Sequence, residues 1–117
     1  MEVQIFGLKG SSATRAAERF FKERRIRVHF VDLAQRAMSP AEIGRFVRKF
    51  GLDGLIDTAG KPYRDGGLEF MRITSEGWLV RIAAEPRLLR LPLVRAGERL
   101  TVGLAEADWK AWAQSPK

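Results

Sequence analysis

A chain of 117 residues has room for one hydrophobic core and not for two, so it is read as a single domain spanning 1–117. With no cysteine and one histidine, His29, it has no disulfide, no thiolate and no zinc site of the Cys/His kind, and no metal is expected. The formal charge of +7 favours acidic partners, but the arginines are scattered from Arg15 to Arg99 without a long basic cluster or interleaved aromatics, which argues against direct nucleic-acid binding.

Residues 2–6 alternate, with Val3 and Ile5 on one face, and read as a first strand. No apolar run approaches the roughly 20 residues that cross a bilayer, and nothing precedes that strand that resembles a signal peptide. A cytosolic chain with no membrane role is expected. Gly7 to Ser12 form a turn, and Ala13, Ala16, Ala17, Phe20 and Phe21 then recur at helical spacing, with Lys22, Arg24 and Arg25 crowding the helix end. Residues 27–31 read as a second strand, parallel to the first, which makes 2–31 a βαβ unit.

Ser39-Pro40-Ala41-Glu42 has the pattern of a capping box with proline at the first helical position, and Ile43, Phe46, Val47 and Phe50 form the apolar stripe that follows. Gly51 is expected to end that helix as a C-cap. Residues 52–73, punctuated by glycine and Pro62, read as one short helical turn and a loop. Ser75 is expected to cap a helix over 76–84 that buries Trp78, Leu79 and Ile82, with Pro86 stopping it. Two strands, 91–94 and 99–102, flank the loop 95–98 as an antiparallel hairpin. A last helix over about 105–113 buries Trp109 and Trp112, and a frayed end follows.

The order βαβ, helices, ββα is that of an α/β thioredoxin-like fold, in three layers, with a helical insertion at about 39–84. Within it, the run Phe6 to Arg15 resembles the first loop of the arsenate-reductase and Spx (ArsC-like) family, where an aromatic-Gly-x-Lys-Asn-Cys-Asp-Thr pattern precedes the helix. The run Leu55 to Arg64 is similar to the family's Leu-Ile-Asn-Thr-Arg-Gly stretch. The run Glu85 to Val94 is similar to its His-Pro-x-Leu-Ile-x-Arg-Pro segment, and Arg99 to Gly103 to the strand before its last helix. The resemblance puts Ser11 at the position of the family's catalytic cysteine and implies a cis peptide before Pro92.

The resemblance also implies an oxyanion held by three arginines, at positions occupied here by Asp57, Leu91 and Val102, with Arg64 and Arg90 nearby. A serine hydroxyl needs an adjacent general base to become a nucleophile, and nothing in the sequence brings His29 to Ser11. No catalytic residue is therefore assigned. Two other roles stay open for the loop: Ser11 or Ser12 as a helix cap, and Lys9, Gly10, Ser11, Ser12 and Arg15 as an anion site without chemistry.

Three functions compete on these residues. The first is a redox-inactive binding or regulatory module, for which the resemblance to Spx implies the RNA polymerase α subunit, or another acidic protein, as partner and Arg48 as a contact. The second is a reductase that borrows its thiol from glutathione, the one cofactor considered. The third is a protein that binds an oxyanion without turnover.

Overall fold

The computed structural model of the chain describes residues 1–114. Along it run β1 (Glu2–Gly7), α1 (Ser12–Glu23), β2 (Arg27–Asp32), α2 (Pro40–Leu55), α3 (Lys61–Asp65), α4 (Ser75–Ala84), β3 (Leu93–Ala96), β4 (Arg99–Val102) and α5 (Glu106–Gln114). Short 3₁₀ turns lie at Leu68–Phe70 and Pro86–Leu88. By its contacts the chain divides into two compact units, one of Met1–Arg36 with the chain from Leu91 onward, the other Ala37–Arg90.

The first unit holds a four-stranded sheet in the order β2-β1-β3-β4. β1 and β2 are parallel, with Val3 beside Val28 and Phe6 beside Val31, as a βαβ unit requires. β3 runs antiparallel to β1, Ile5 opposite Val94, and β4 antiparallel to β3. Because side chains alternate along a strand, Val3, Ile5, Val94 and Ala96 share one face. That face forms a buried cluster with Ala17, Phe20 and Phe21 of α1 and Trp109 and Trp112 of α5.

The rings of Phe20 and Phe21 lie 5.7 and 5.6 Å from that of Trp109, at tilted angles that favour aromatic attraction. Trp109 is wholly buried, and its indole N–H donates to Thr101 Oγ1 at 2.9 Å, so the ring brings no unpaired donor into the core.

The second unit is built from caps, short helices and a small ribbon. Ser39 Oγ accepts from Glu42 N–H at 3.1 Å while Glu42 Oε1 accepts from Ser39 N–H at 2.8 Å, closing the capping box around Pro40. Ile43, Phe46 and Leu55 are buried along α2. Past the helix, Asp57 N–H donates to Leu88 O and Arg90 N–H to Leu55 O, both at 2.8 Å, around an antiparallel bridge between Ile56 and Leu89. Tyr63 and Trp78 stack with ring centroids 6.4 Å apart. Glu85 accepts from the Arg87 guanidinium at 2.9 Å, and that hydrogen bond holds its carboxyl below the usual carboxylate range.

Several expected boundaries move. Gly51 does break the helical geometry, at φ 73°, ψ 161°, but α2 resumes beyond it to Leu55 because Leu55 and Ile56 have buried places to fill. Glycine reaches that backbone region without the clash a Cβ would cause. Thr74, not Ser75, caps α4: Thr74 Oγ1 accepts from Gly77 N–H at 3.0 Å, and Ser75 is the first helical residue. Residues 52–73 contain α3 as well as the 3₁₀ turn. The third strand starts at Leu93 and runs to Ala96, since Pro92 has no N–H for a ladder, and its turn narrows to Gly97-Glu98.

The peptide bond between Leu91 and Pro92 is cis. The final helix is displaced by one residue, and the frayed ending expected for the last residues lies outside the described ones. Among the described residues no helix is long and apolar enough to cross a membrane.

Candidate functional site: the loop before the first helix

β1 delivers the chain to Gly7, and Thr14 of α1 sits directly on that glycine. A Cβ at position 7 would lie 2.5 Å from both Thr14 Cγ2 and Thr14 Oγ1, so only glycine lets the first helical turn close onto the strand end. From there Ser11 N–H donates to Leu8 O at 3.0 Å, which closes a tight turn with Lys9 and Gly10 exposed at its tip.

Ser11 has extended backbone angles, φ −81° and ψ 120°, and its Oγ accepts from Thr14 N–H at 3.2 Å. Its carbonyl takes Arg15 N–H at 3.0 Å. It is the N-cap, and Ser12 the first helical residue. The Arg15 guanidinium turns back over the loop and donates to Lys9 O at 2.8 Å. Lys9, Gly10, Ser11, Ser12 and Arg15 thus belong to one small feature, whose helix has no acidic residue in its first turn to offset the positive pole.

The sheet register carries Pro92 and Val102 to the same end as this loop. Phe6 pairs with Leu93, Leu93 pairs with Val102, and Gly103 N–H donates to Pro92 O at 2.8 Å. His29 stands in the register of β2 beside Gln4, exposed, and among the described residues the one hydrogen bond to Ser11 Oγ is that from Thr14 N–H. Among the described residues no general base is hydrogen-bonded to the hydroxyl. In its place the oxygen serves as an acceptor, which is what a cap requires.

Arg48, Arg64 and Arg90 all belong to the second unit. Arg90 Nε donates to Ile56 O at 3.2 Å, so this arginine closes the small ribbon. Arg64 is exposed in the last turn of α3. Arg48 is exposed on α2 and lies along Gly44, its guanidinium 3.3 Å from where a Cβ of residue 44 would stand. Asp57 is half-buried, its carboxylate against Gly60 at the start of the following turn.

One residue of the loop's surroundings was not legible beforehand. Thr14 is wholly buried, and its Oγ1 has no hydrogen-bond partner. Threonine three residues after a cap gives no sign in a sequence that its hydroxyl is enclosed.

A parallel β1–β2 pair, a helix capped directly after β1, and a cis-proline leading into an antiparallel hairpin define a thioredoxin-like α/β protein. The chain belongs to the ArsC family, whose sequence pattern matches residues 6–112. It is 29% identical over 110 residues to the global transcriptional regulator Spx 2 of Oceanobacillus iheyensis, covering 92% of this chain and 81% of that one. It is 27% identical over 118 residues to the YusI protein of Bacillus subtilis, covering 97% of this chain and all of that one.

Among solved structures, the YffB protein superposes with a TM-score of 0.82 at 17% identity, over 93% of this chain and 96% of that one. The arsenate reductase of Vibrio cholerae does so with a TM-score of 0.74 at 17% identity, over 88% and 90%. At such identities these two likenesses bear on the fold. Within the family, this chain is a member without cysteine.

Proposed function

We propose that the chain is a redox-inactive ArsC-family protein that works by binding, as a regulatory module for an acidic partner. One observation carries the reading. Ser11, which the resemblance puts at the position of the family's cysteine, has its oxygen engaged as the cap of α1, and among the described residues no base is hydrogen-bonded to it. An alcohol so placed neither attacks arsenic nor cycles through a disulfide. A glutathione-dependent reductase would have to position both substrates and contribute no sulfur of its own.

The partner drawn from the likeness to Spx is the C-terminal domain of the RNA polymerase α subunit, with Arg48 on α2 as a contact. Arg48 is exposed, and among the described residues no carboxylate pairs with it, so its charge is available. Titration calorimetry with the purified α domain tests this, and Arg48→Glu is expected to weaken binding about tenfold or more, as a reversed interfacial charge does. No binding by the unaltered chain removes the partner, and binding that ignores Arg48→Glu removes the contact. Arsenate turnover with glutathione that is lost in Ser11→Ala would overturn the redox-inactive reading itself.

A second reading, an oxyanion held without turnover, is favoured by the acid-free first turn of α1 with Arg15 folded over it. Arsenate titration of the same protein, with residues 9–15 as the responding amides, separates the two.

A further inference from the structure

At the end of the sheet opposite Ser11, where α1 stops and β2 begins, the first unit has an open cavity of about 560 Å³. Arg24, Arg25 and Lys110 line it, and among the described residues no carboxylate does. Among the described residues none of the three is in an ion pair. Ile26 and Ala113 give the cavity apolar surface, and Lys110, Ala113 and Gln114 present one side of α5 to it, as spacings of three and four on a helix allow. Its volume is that of an ordinary small-molecule site.

Arg24 is held in place before any ligand arrives. Its guanidinium lies 3.6 Å above the centre of the Phe20 ring and donates to Phe20 O at 3.0 Å. Fixing a cation in this way lowers the entropy lost on binding.

α1 ends with Arg25 N–H donating to Lys22 O and Ile26 N–H to Phe21 O, both at 3.0 Å, the bonding of a Schellman motif. The residue at the turning point of that motif takes a left-handed conformation and is usually glycine. Here it is Arg25, at φ 57°, the one non-glycine residue with positive φ among the described residues. A side chain is disfavoured in that conformation and glycine is not. The chain therefore places an arginine at the cavity where fold stability alone would favour glycine, which is the pattern of strain kept for a site.

We infer that this cavity binds a small polyanion, a molecule carrying two or more adjacent phosphate or carboxylate groups. A single exposed ion pair is worth little in water, so a ligand must engage several of these cations together. Arginine supplies the planar fork that both phosphate and carboxylate accept, and a concave surface of one sign concentrates such anions around it. The site is independent of the reading given to Ser11.

The test is calorimetry at low ionic strength with inorganic tripolyphosphate and, separately, citrate, together with amide spectra of ¹⁵N-labelled protein. Saturable binding of tripolyphosphate is expected, with shifts concentrated at residues 24–26 and 110–114. Citrate shifting the same amides assigns the site to polyanions in general, and citrate leaving them unmoved assigns it to phosphates.

Arg25→Gly is the deciding variant, because it relieves the backbone while removing the cation. It should melt at the same or a higher temperature yet bind about fivefold more weakly, with Lys110→Gln losing a similar factor. Absence of saturable binding, shifts centred on residues 9–15, or Arg25→Gly binding as tightly as the unaltered chain would each overturn the inference.

Discussion

At the start of α2, Ser39 caps the helix and Glu42, three residues on, returns the hydrogen bond and places a carboxylate at the positive pole. At the start of α1, Ser11 caps in the same way, but the residue three positions on is Thr14, buried against Gly7 with its hydroxyl unpartnered. The first start is finished by its own side chains. The second is finished by packing against a strand end, and its pole is left without a carboxylate. Ser39-Pro40-Ala41-Glu42 closes its helix start with a reciprocal pair of side-chain bonds, whereas Ser11-Ser12-Ala13-Thr14 closes with one bond and a packed threonine.

The contrast can be broken most severely at Gly7. Gly7→Ala should cost about 2–3 kcal/mol, the upper part of the range for forcing a methyl into a packed contact, because the new Cβ meets Thr14 at 2.5 Å. Chemical denaturation read by circular dichroism measures it, and a change below half that size would mean Thr14 does not pin α1.

The caps themselves come next. Ser39→Ala should destabilise by about 1–1.5 kcal/mol, since it opens a reciprocal box, and Ser11→Ala by about 0.5–1 kcal/mol, since it removes one bond. Equal losses in parallel urea titrations would remove the distinction drawn between the two starts.

Smallest is Thr14→Val, which replaces the unpartnered hydroxyl with a methyl of similar shape. It should stabilise by about 0.5–1 kcal/mol, because a buried polar group without a partner carries a desolvation penalty. A loss of stability on thermal melting would show that the hydroxyl has a partner in solution.

Much of this was legible in the sequence. The alternation of Val3 and Ile5, the spacing of Ala17, Phe20 and Phe21, and the tryptophans at 109 and 112 all mark the core cluster, because burial on one face is a periodic signal. The capping box at Ser39 was equally plain, since its residues are adjacent in the chain. The ribbon of Ile56 with Leu89 was not, because two residues and a pair of backbone bonds across 33 positions leave no period to detect. Nor was Thr74 as the cap of α4, where two neighbouring hydroxyl residues are equally suited and the choice depends on backbone angles.

For the site, the loop and its Ser11 could be located by resemblance, while the enclosure of Thr14 depends on which residue faces it from β1. The left-handed Arg25 was hidden for a similar reason. A run of basic residues at a helix end looks like ordinary complementarity to the negative pole, and only the φ angle sets one of them apart.

The positions of the indoles have a practical consequence. Trp109 and Trp112 lie in the core of the first unit, and Trp78 stacks on Tyr63 in the second, so each unit holds its own fluorophore in a different environment. Excited at the red edge of their absorption, with Trp78 replaced by phenylalanine, the molecule would emit only from the sheet unit, and its unfolding could be followed by light without any added dye.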